Sequence, residues 1–478
     1  MTDTHDGDEF LDAFLAMERD MDLFAARERG IPFWECLRYP IYTKLVSGAG
    51  LHDYYLAGRS SGVGQLLRNL KFVFRALTVN NPFFMARADL LVLSGAKRTM
   101  QNDRQRDIYS DPLLEFAGDR YSFRIVERPF GEAVHKVPPT HGPVRYLDFI
   151  YALSALRNRM FPPRLTDGTE ALCAEISKRI ESICSVKIKV DAEVRKFVGR
   201  WQIERPLFTQ LLRKVRPRAL LVVVSAGNET LIAAAKQLGI PSAELQHGSP
   251  APGKLNYDFP QGFLKQNFPD YFLSFGPFWN RYVNLPLPSA NVLPLGYPHM
   301  AQLHQRYAHV ARQRQVLFLS QRTIGRYLAT FAVELRRCTP PDIEIVYKLH
   351  PEELRDWRQR YQGLEEAGVK VVADRSADLY ALFAESTWQV GVYSTALYEG
   401  IAFGCETFVV KAPGWGAMRP LVEEGTAQLV EQASEMSLVP RAGRAAALTK
   451  DYFAEVTRKK VISCIETVIS AGSQKRRN

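Results

Sequence analysis

One apolar run constrains this chain more than any other feature. It is Ala219-Leu220-Leu221-Val222-Val223-Val224, followed by Ser225-Ala226-Gly227-Asn228-Glu229-Thr230 and a helix-like stretch from Ala233 to Leu238. A strand apolar on both faces needs cover on both faces, which is the situation of a central parallel strand in an α/β protein. Gly239-Ile240-Pro241 ends the helix-like stretch, and Ala243-Glu244-Leu245-Gln246 begins the next strand. Tyr271–Gly276 and Val292–Gly296 continue the series, and Leu90–Ser94 precedes it. A second series begins at Val316–Ser320 and runs through Ile343–Lys348, Val369–Val372, Gln389–Val392 and Thr407–Val410. Strands alternating with helices predict parallel sheets with right-handed crossovers.

At 478 residues the chain is too long for one ordinary core. The reading is α/β of the GT-B kind: two Rossmann-like domains facing a cleft, with an N-terminal helical extension. The expected divisions are 1–80 for the extension, 81–300 for the first domain, 301–448 for the second, and 449–478 for a closing helix and basic tail. Helices are expected over Phe10–Ala26, Leu66–Leu77, Thr169–Ile183, parts of Asp191–Val215, and Thr449–Ile469, whereas Tyr297–Arg314 reads as a connection.

Composition removes several classes. A hydrophobic fraction of 46% and a charged fraction of 24% are ordinary for a globular protein. No run of apolar residues is long enough to span a bilayer. The acidic start (Asp3, Asp6, Asp8, Glu9, Asp12) lacks the order of a signal peptide, so a cytoplasmic location is expected. Six scattered cysteines without a CxxC pair argue against a disulfide framework or a zinc site. The net charge of +11 attracts anions. Much of the excess lies in Arg98–Arg128, Arg195–Arg218 and Lys475-Arg476-Arg477. No nucleic-acid-binding signature accompanies it, so no nucleic-acid partner is expected. The basic run Leu66–Leu77 and the tail point to weak peripheral contact with the anionic inner face of the cytoplasmic membrane. Neither a dinucleotide fingerprint nor a GxxxxGK[ST] loop is present; Gly62-Val63-Gly64 lacks the third glycine and a preceding strand.

Three strings sit at strand exits, where open α/β sheets bind ligands. They are Gln246-His247-Gly248, Lys348-Leu349-His350-Pro351, and Tyr393-Ser394-Thr395-Ala396-Leu397-Tyr398-Glu399-Gly400. His350, before a first helical turn beginning at Glu352, can donate to a diphosphate and meet the charge of a leaving group. Ser394 and Thr395 would open a helix as caps or hold phosphate oxygens with its amides. These two points are expected at adjacent strand ends. Glu399, one turn inward, can accept from ribose hydroxyls. Lys348, and Ser320 and Gln321 at the exit of Val316–Ser320, complete the donor-side set. Glu229 and His247 follow neighbouring strands, and either could deprotonate an acceptor hydroxyl; Asn228 and Gly248 lie beside them. No strand-end DxD exists, so a metal-held diphosphate is not supported and no cofactor is expected.

In this order the three strings resemble bacterial GT-B transferases of surface-polysaccharide (capsule and O-antigen) assembly. That group includes capsule Kdo transferases, polysialyltransferases and CDP-glycerol glycerophosphotransferases. The resemblance spans about residues 215–425. It implies a metal-independent transferase that takes a sugar from a nucleotide-activated donor, CMP- or CDP-linked in several members, to a glycan or lipid-linked acceptor. It assigns His350 to donor phosphate, Ser394 and Thr395 to phosphate oxygens, and Glu399 to ribose. The acceptor would approach Glu229 and His247. A glycerol-phosphate transferase, a sugar-nucleotide 2-epimerase and a non-catalytic scaffold remain the alternatives.

Overall fold

The computed structural model describes residues 5–48, 80–95, 98–101, 104–128, 144–374, 377–440 and 450–475, together with 70, 73, 74, 77 and 78. Most of the basic run at 66–77, residues 476–478 of the tail and Gly62-Val63-Gly64 fall outside these. The chain forms two compact units. The N-terminal unit comprises Glu9–Ser274, Val283–His299 and Val456–Asn478; the C-terminal unit comprises Met1–Asp8, Phe275–Tyr282 and Met300–Glu455.

The N-terminal unit is built on β1 (Leu90–Ser94), a hairpin of β2 (Arg98–Gln101) and β3 (Arg104–Asp107), then β4 (Phe123–Glu127), β5 (Arg145–Tyr146), β6 (Ala219–Val222), β7 (Ser242–Leu245), β8 (Tyr271–Ser274) and β9 (Val292–Pro294). Apart from the hairpin these form one sheet in the order β5-β4-β1-β6-β7-β8-β9. Every pairing in it is parallel. The central run behaves as its composition requires: every residue of β6 is buried. Leu90, Val92 and Leu221 pack on one face with the terminal helix, whereas Leu91, Leu93 and Leu220 pack on the other with Phe208, Leu212 and Leu231.

Two helices shape one side of this unit, Asp148–Met160 and Val190–Val215, the latter with Pro206 inside it. They cross closely at Gly199, where a Cβ would overlap the Asn158 amide. The N-terminal segment is helical, with His5–Asp20 and Trp34–Gly48. The Glu18 carboxylate joins them, accepting from Trp34 Nε1 at 2.8 Å and from Arg38 Nε and Nη2 at 2.8 and 2.6 Å. Arg38 Nη1 donates onward to the carbonyls of Leu255 and Asp258. Both charges are about 1% exposed. A buried pair with all its donors placed fixes how elements dock more than it adds stability.

The C-terminal unit carries β10 (Gln313–Leu319), β11 (Glu344–Lys348), β12 (Lys370–Val372), β13 (Ser386–Gly391), β14 (Glu406–Val410) and β15 (Ala427–Val430). Their order is β12-β11-β10-β13-β14-β15, again all parallel. Val316, Phe318, Tyr347, Trp388 and Phe408 form the middle of its core. The protein is therefore α/β with two Rossmann-like parallel sheets and a helical N-terminal segment, as its apolar runs predict.

Three expectations need correction. Tyr297–Arg314 is no mere connection, since Pro298–Tyr307 is helical. The terminal helix begins at Arg458 rather than at Thr449. The helix expected within Asp191–Val215 is present and runs unbroken over Val190–Val215. The turn after His350 opens no helix: residues 351–356 are turns, and only Trp357–Arg360 is helical. Among the described residues no helix is long and apolar enough to cross a membrane. The six cysteines are free thiols.

Candidate active site

In the C-terminal unit the predicted donor-side residues gather along one edge of the sheet. Lys348 and His350 leave β11, Ser320 and Gln321 leave β10, and Ser394, Thr395 and Glu399 follow β13. His350 and Ser394 are not at adjacent strand ends, because β10 lies between β11 and β13. The loop after β10 bridges the two: Thr323 Oγ1 meets the Tyr393 hydroxyl, and Arg322 Nη1 donates to the Glu352 carbonyl at 2.8 Å.

Glu353 organises this edge. It is fully buried, and its carboxylate accepts from the His350 amide at 2.6 Å, from Ser320 Oγ at 2.8 Å and from the Tyr361 hydroxyl. Ser320 Oγ also lies 2.9 Å from the Tyr347 hydroxyl. A Cβ at Gly325 would collide with this carboxylate and with Tyr361, so the close packing depends on that glycine. Ser320 thus positions its loop. The His350 ring is 45% exposed, and its Nδ1 accepts from the Glu352 amide at 3.4 Å. That contact leaves Nε2 as the proton-bearing nitrogen. Lys348 Nζ donates to the Asp374 carbonyl at 3.0 Å, and burial holds its pKa below the ordinary lysine value. Gln321 Oε1 is buried and has no hydrogen-bond partner. Ser394 Oγ accepts from the Ala396 amide at 3.3 Å, one residue ahead of the N-cap of the helix Ala396–Ala402. Thr395 makes no side-chain cap and is exposed; Glu399 is half-buried.

In the N-terminal unit Glu229 and His247 follow β6 and β7, which are paired neighbours. Their surroundings differ. Tyr257 donates to Glu244 Oε1 at 2.5 Å, and its hydroxyl lies 3.1 Å from His247 Nδ1 and 3.5 Å from Nε2. The Nδ1 contact is the shorter of the two. Glu244 Oε1 is itself 3.4 Å from Nδ1. Tyr257 donates its hydrogen bond to Glu244, and with that carboxylate and the phenol oxygen both beside Nδ1 the ring proton is best placed there, which leaves the lone pair on Nε2. Burial, followed by the charge of Glu244, pushes the Tyr257 pKa well up, so the phenol keeps its proton. The backbone at His247 is held by the Tyr109 hydroxyl, which donates to its carbonyl at 2.7 Å. Gln246 Nε2 donates to the Gly248 carbonyl at 2.8 Å and closes the turn.

Glu229 opens the helix Glu229–Gln237 and is 4% exposed. Its Oε1 accepts from the Gly227 amide at 3.1 Å and lies 3.5 Å from Lys265 Nζ. Burial opposes charge on Lys265, but the carboxylates of Glu229 and Glu35 outweigh it and raise the lysine's pKa. These groups line a cavity of about 220 Å³ with Cys36, Arg200 and Asn256. Asn228 is buried, donating to the Val224 carbonyl at 2.7 Å and receiving the Tyr151 hydroxyl at 3.4 Å. Glu229 is therefore a lysine-paired carboxylate, whereas His247 is an oriented imidazole.

Sequence reading missed Glu244, Tyr257, Lys265 and Glu353. Glu244 left one trace, a carboxylate inside an otherwise apolar strand. The others lie in loops without periodicity. Among the described residues no group of three or more His, Cys, Asp or Glu is placed to hold a metal ion.

No family model matches the chain, and no curated protein matches it. Solved structures do share its overall course. The UDP-GlcNAc 2-epimerase from Neisseria meningitidis bound to UDP-GlcNAc is similar at 12% identity and a TM-score of 0.43, over 80% of this chain and 99% of that one. The UDP-GlcNAc 2-epimerase from Methanocaldococcus jannaschii is similar at 10% identity and a TM-score of 0.42, over 80% and 92%. The wall teichoic acid polymerase TagF is similar at 9% identity and a TM-score of 0.42, over 87% and 99%. Likenesses this distant do not speak to the chain's activity.

Proposed function

We propose that the chain is a GT-B glycosyltransferase of bacterial surface-glycan assembly, with His247 as its general base. The observation that carries this is the Glu244–Tyr257–His247 series, which sets a carboxylate and a phenol beside Nδ1 of an imidazole at a strand exit. An imidazole needs little tuning to act as a base near neutral pH. The acceptor hydroxyl gives its proton to Nε2 as its oxygen attacks the anomeric carbon of a nucleotide-linked donor. The bond from that carbon to the donor phosphate breaks, and the nucleotide leaves with the electron pair. His350, donating from Nε2, with Ser394, Thr395 and Lys348, would meet the charge that develops on the leaving phosphate. Glu399 would accept from the ribose. The same base could serve attack at phosphorus in a CDP-glycerol-type glycerophosphotransferase; product analysis separates the two.

The test is turnover of the nucleotide-linked donor by wild type, His247→Asn and Glu229→Gln. His247→Asn should lose roughly two to four orders of magnitude in kcat, the usual scale for removing a general base. Glu229→Gln should lose less, and its loss should appear with a lowered melting temperature, since it breaks the pairing with Lys265. Near-normal turnover in His247→Asn would place the base elsewhere.

A further inference from the structure

The larger cavity of the N-terminal unit lies beside the Glu229 helix, and none of the roles above uses it. It measures about 710 Å³, within the usual range for small-ligand sites. Its wall is strongly cationic. Arg128 arrives directly after β4, Arg159 from the helix Asp148–Met160, and Arg195, Lys196 and Arg200 from the helix Val190–Val215. One carboxylate, Glu204, lines it, and it is taken up by Arg200 at 2.9 Å. Arg195 is answered from outside the lining by Glu170 at 2.6 Å and by Asp191 at 3.6 Å. Among the described residues Arg128, Arg159 and Lys196 have no carboxylate partner.

Two further features mark the wall of this site. The first is preorganisation. The guanidinium groups of Arg128 and Arg200 lie 5.0 and 5.9 Å from the Tyr151 ring, and that ring is anchored by its hydroxyl on Asn228. The Arg128 guanidinium also rests against Gly227, where a Cβ would lie 2.9 Å from it. The second is an unanswered hydroxyl. Ser154 lines the cavity, is 1% exposed, and its Oγ has no hydrogen-bond partner. That oxygen is covered, so it lies just beneath the wall, and a ligand would meet the cations before it.

We infer that this cavity binds a phosphate-bearing ligand; on the transferase reading, from which this step follows, that ligand is the acceptor. Five cations against one lining carboxylate leave a formal excess of four, or of two once the outer carboxylates on Arg195 are counted. An excess of two to four suits a phosphomonoester or diphosphate better than a single carboxylate. Planar guanidinium groups also match phosphate oxygens in pairs. The tip of the cavity at Arg200 and Gly227 adjoins the Glu229 loop, since Arg200 lines both cavities and its Nη2 lies 3.4 Å from the Gly227 carbonyl.

The experiment is calorimetric titration of the full chain with inorganic pyrophosphate, inorganic phosphate and succinate. The variants are Arg159→Glu/Lys196→Glu, Ser154→Ala and His350→Ala. Arg159 and Lys196 are exposed, and unchanged melting would confirm that the double variant is folded. Pyrophosphate should bind saturably, with affinity falling as salt rises. The double charge reversal should weaken binding by about tenfold or more, the scale of losing direct charge contacts. Ser154→Ala, whose hydroxyl lies beneath the wall, should change it little, and His350→Ala should leave in place the component of binding that the double variant removes. Absent binding, equal binding by the double variant, or loss only in His350→Ala would overturn the inference. Succinate binding as tightly as pyrophosphate would overturn its phosphoryl assignment. Variant-sensitive pyrophosphate binding without turnover of any donor would remove the transferase reading and leave the pocket standing. Turnover without pyrophosphate binding would do the reverse.

Discussion

Tyr257 stands between Glu244 and His247 and acts through that imidazole, so it is a positioning residue. Glu244 is wholly buried, and its second oxygen, Oε2, has no hydrogen-bond partner. Its charge is directed at one phenol and one imidazole. Replacing Tyr257→Phe would remove the oxygen that fixes the ring's tautomer and leave the carboxylate facing an apolar edge. We expect kcat to fall by about tenfold or more, a fraction of the full general-base effect, with KM nearly unchanged. A purely structural role would instead lower the melting temperature and leave kcat per folded molecule untouched. His247 was legible in the sequence because it sits at a strand exit. Its partners were not: the hydroxyl that holds its backbone comes from Tyr109, 138 residues earlier, and no local pattern encodes such a contact. For the same reason sequence reading weighed Glu229 equally with His247. Its engagement by Lys265 depends on where a loop returns.

Among the elements, the loops after β10 and β11 behave as one piece because both are pinned to Glu353. Replacing Glu353→Ala would leave the His350 amide, the Ser320 hydroxyl and the Tyr361 hydroxyl without their shared acceptor. Leaving a buried neutral donor unpaired costs about 1–3 kcal/mol, so urea denaturation should show a loss of at least that order. A loss under about 1 kcal/mol would mean that water replaces the carboxylate at little cost. The helix Pro298–Tyr307 carries a second test. His304 packs edge-on to Phe403 at 4.8 Å, and its Nε2 is buried with no hydrogen-bond partner. Burial lowers its pKa below the ordinary 6.5. A base depressed in the folded state contributes stability above its unfolded pKa and loses it as pH falls through the folded value. His304→Phe should therefore gain relative to wild type in thermal melts as pH drops below 6.5; a constant difference across pH would contradict this. The elements read best from sequence were the uniformly apolar strands. β4 (Phe-Arg-Ile-Val-Glu) escaped because Arg124 and Glu127 break its apolar run, the latter accepting from Ser94, β5 because it has two residues, and β15 because half of it is only partly buried. The turn after His350 misled because Pro351-Glu352-Glu353 has the composition of a helix start, whereas Glu353 is drawn inward to its three donors.

Across the whole molecule, the alternation of apolar runs carried two parallel sheets correctly, because a strand covered on both faces advertises itself in sequence. The net charge of +11 was equally plain, but where the cations converge was not. Arg128 and Arg200 meet only because β4 and β6 flank β1 in one sheet. The central claim is that the chain uses a nucleotide-activated donor, held by the edge that carries His350, Ser394 and Glu399. Ligand that binds only the folded state raises the melting temperature by mass action, by about 2.7 kcal/mol of stability at a hundredfold excess over Kd. The most direct measurement is a thermal-shift screen of wild type and His350→Ala against CMP-, CDP-, UDP- and GDP-linked compounds. The account predicts a saturable rise for one nucleotide class in the wild type and a reduced rise in His350→Ala. No rise for any class, or the same rise in both proteins, would contradict it.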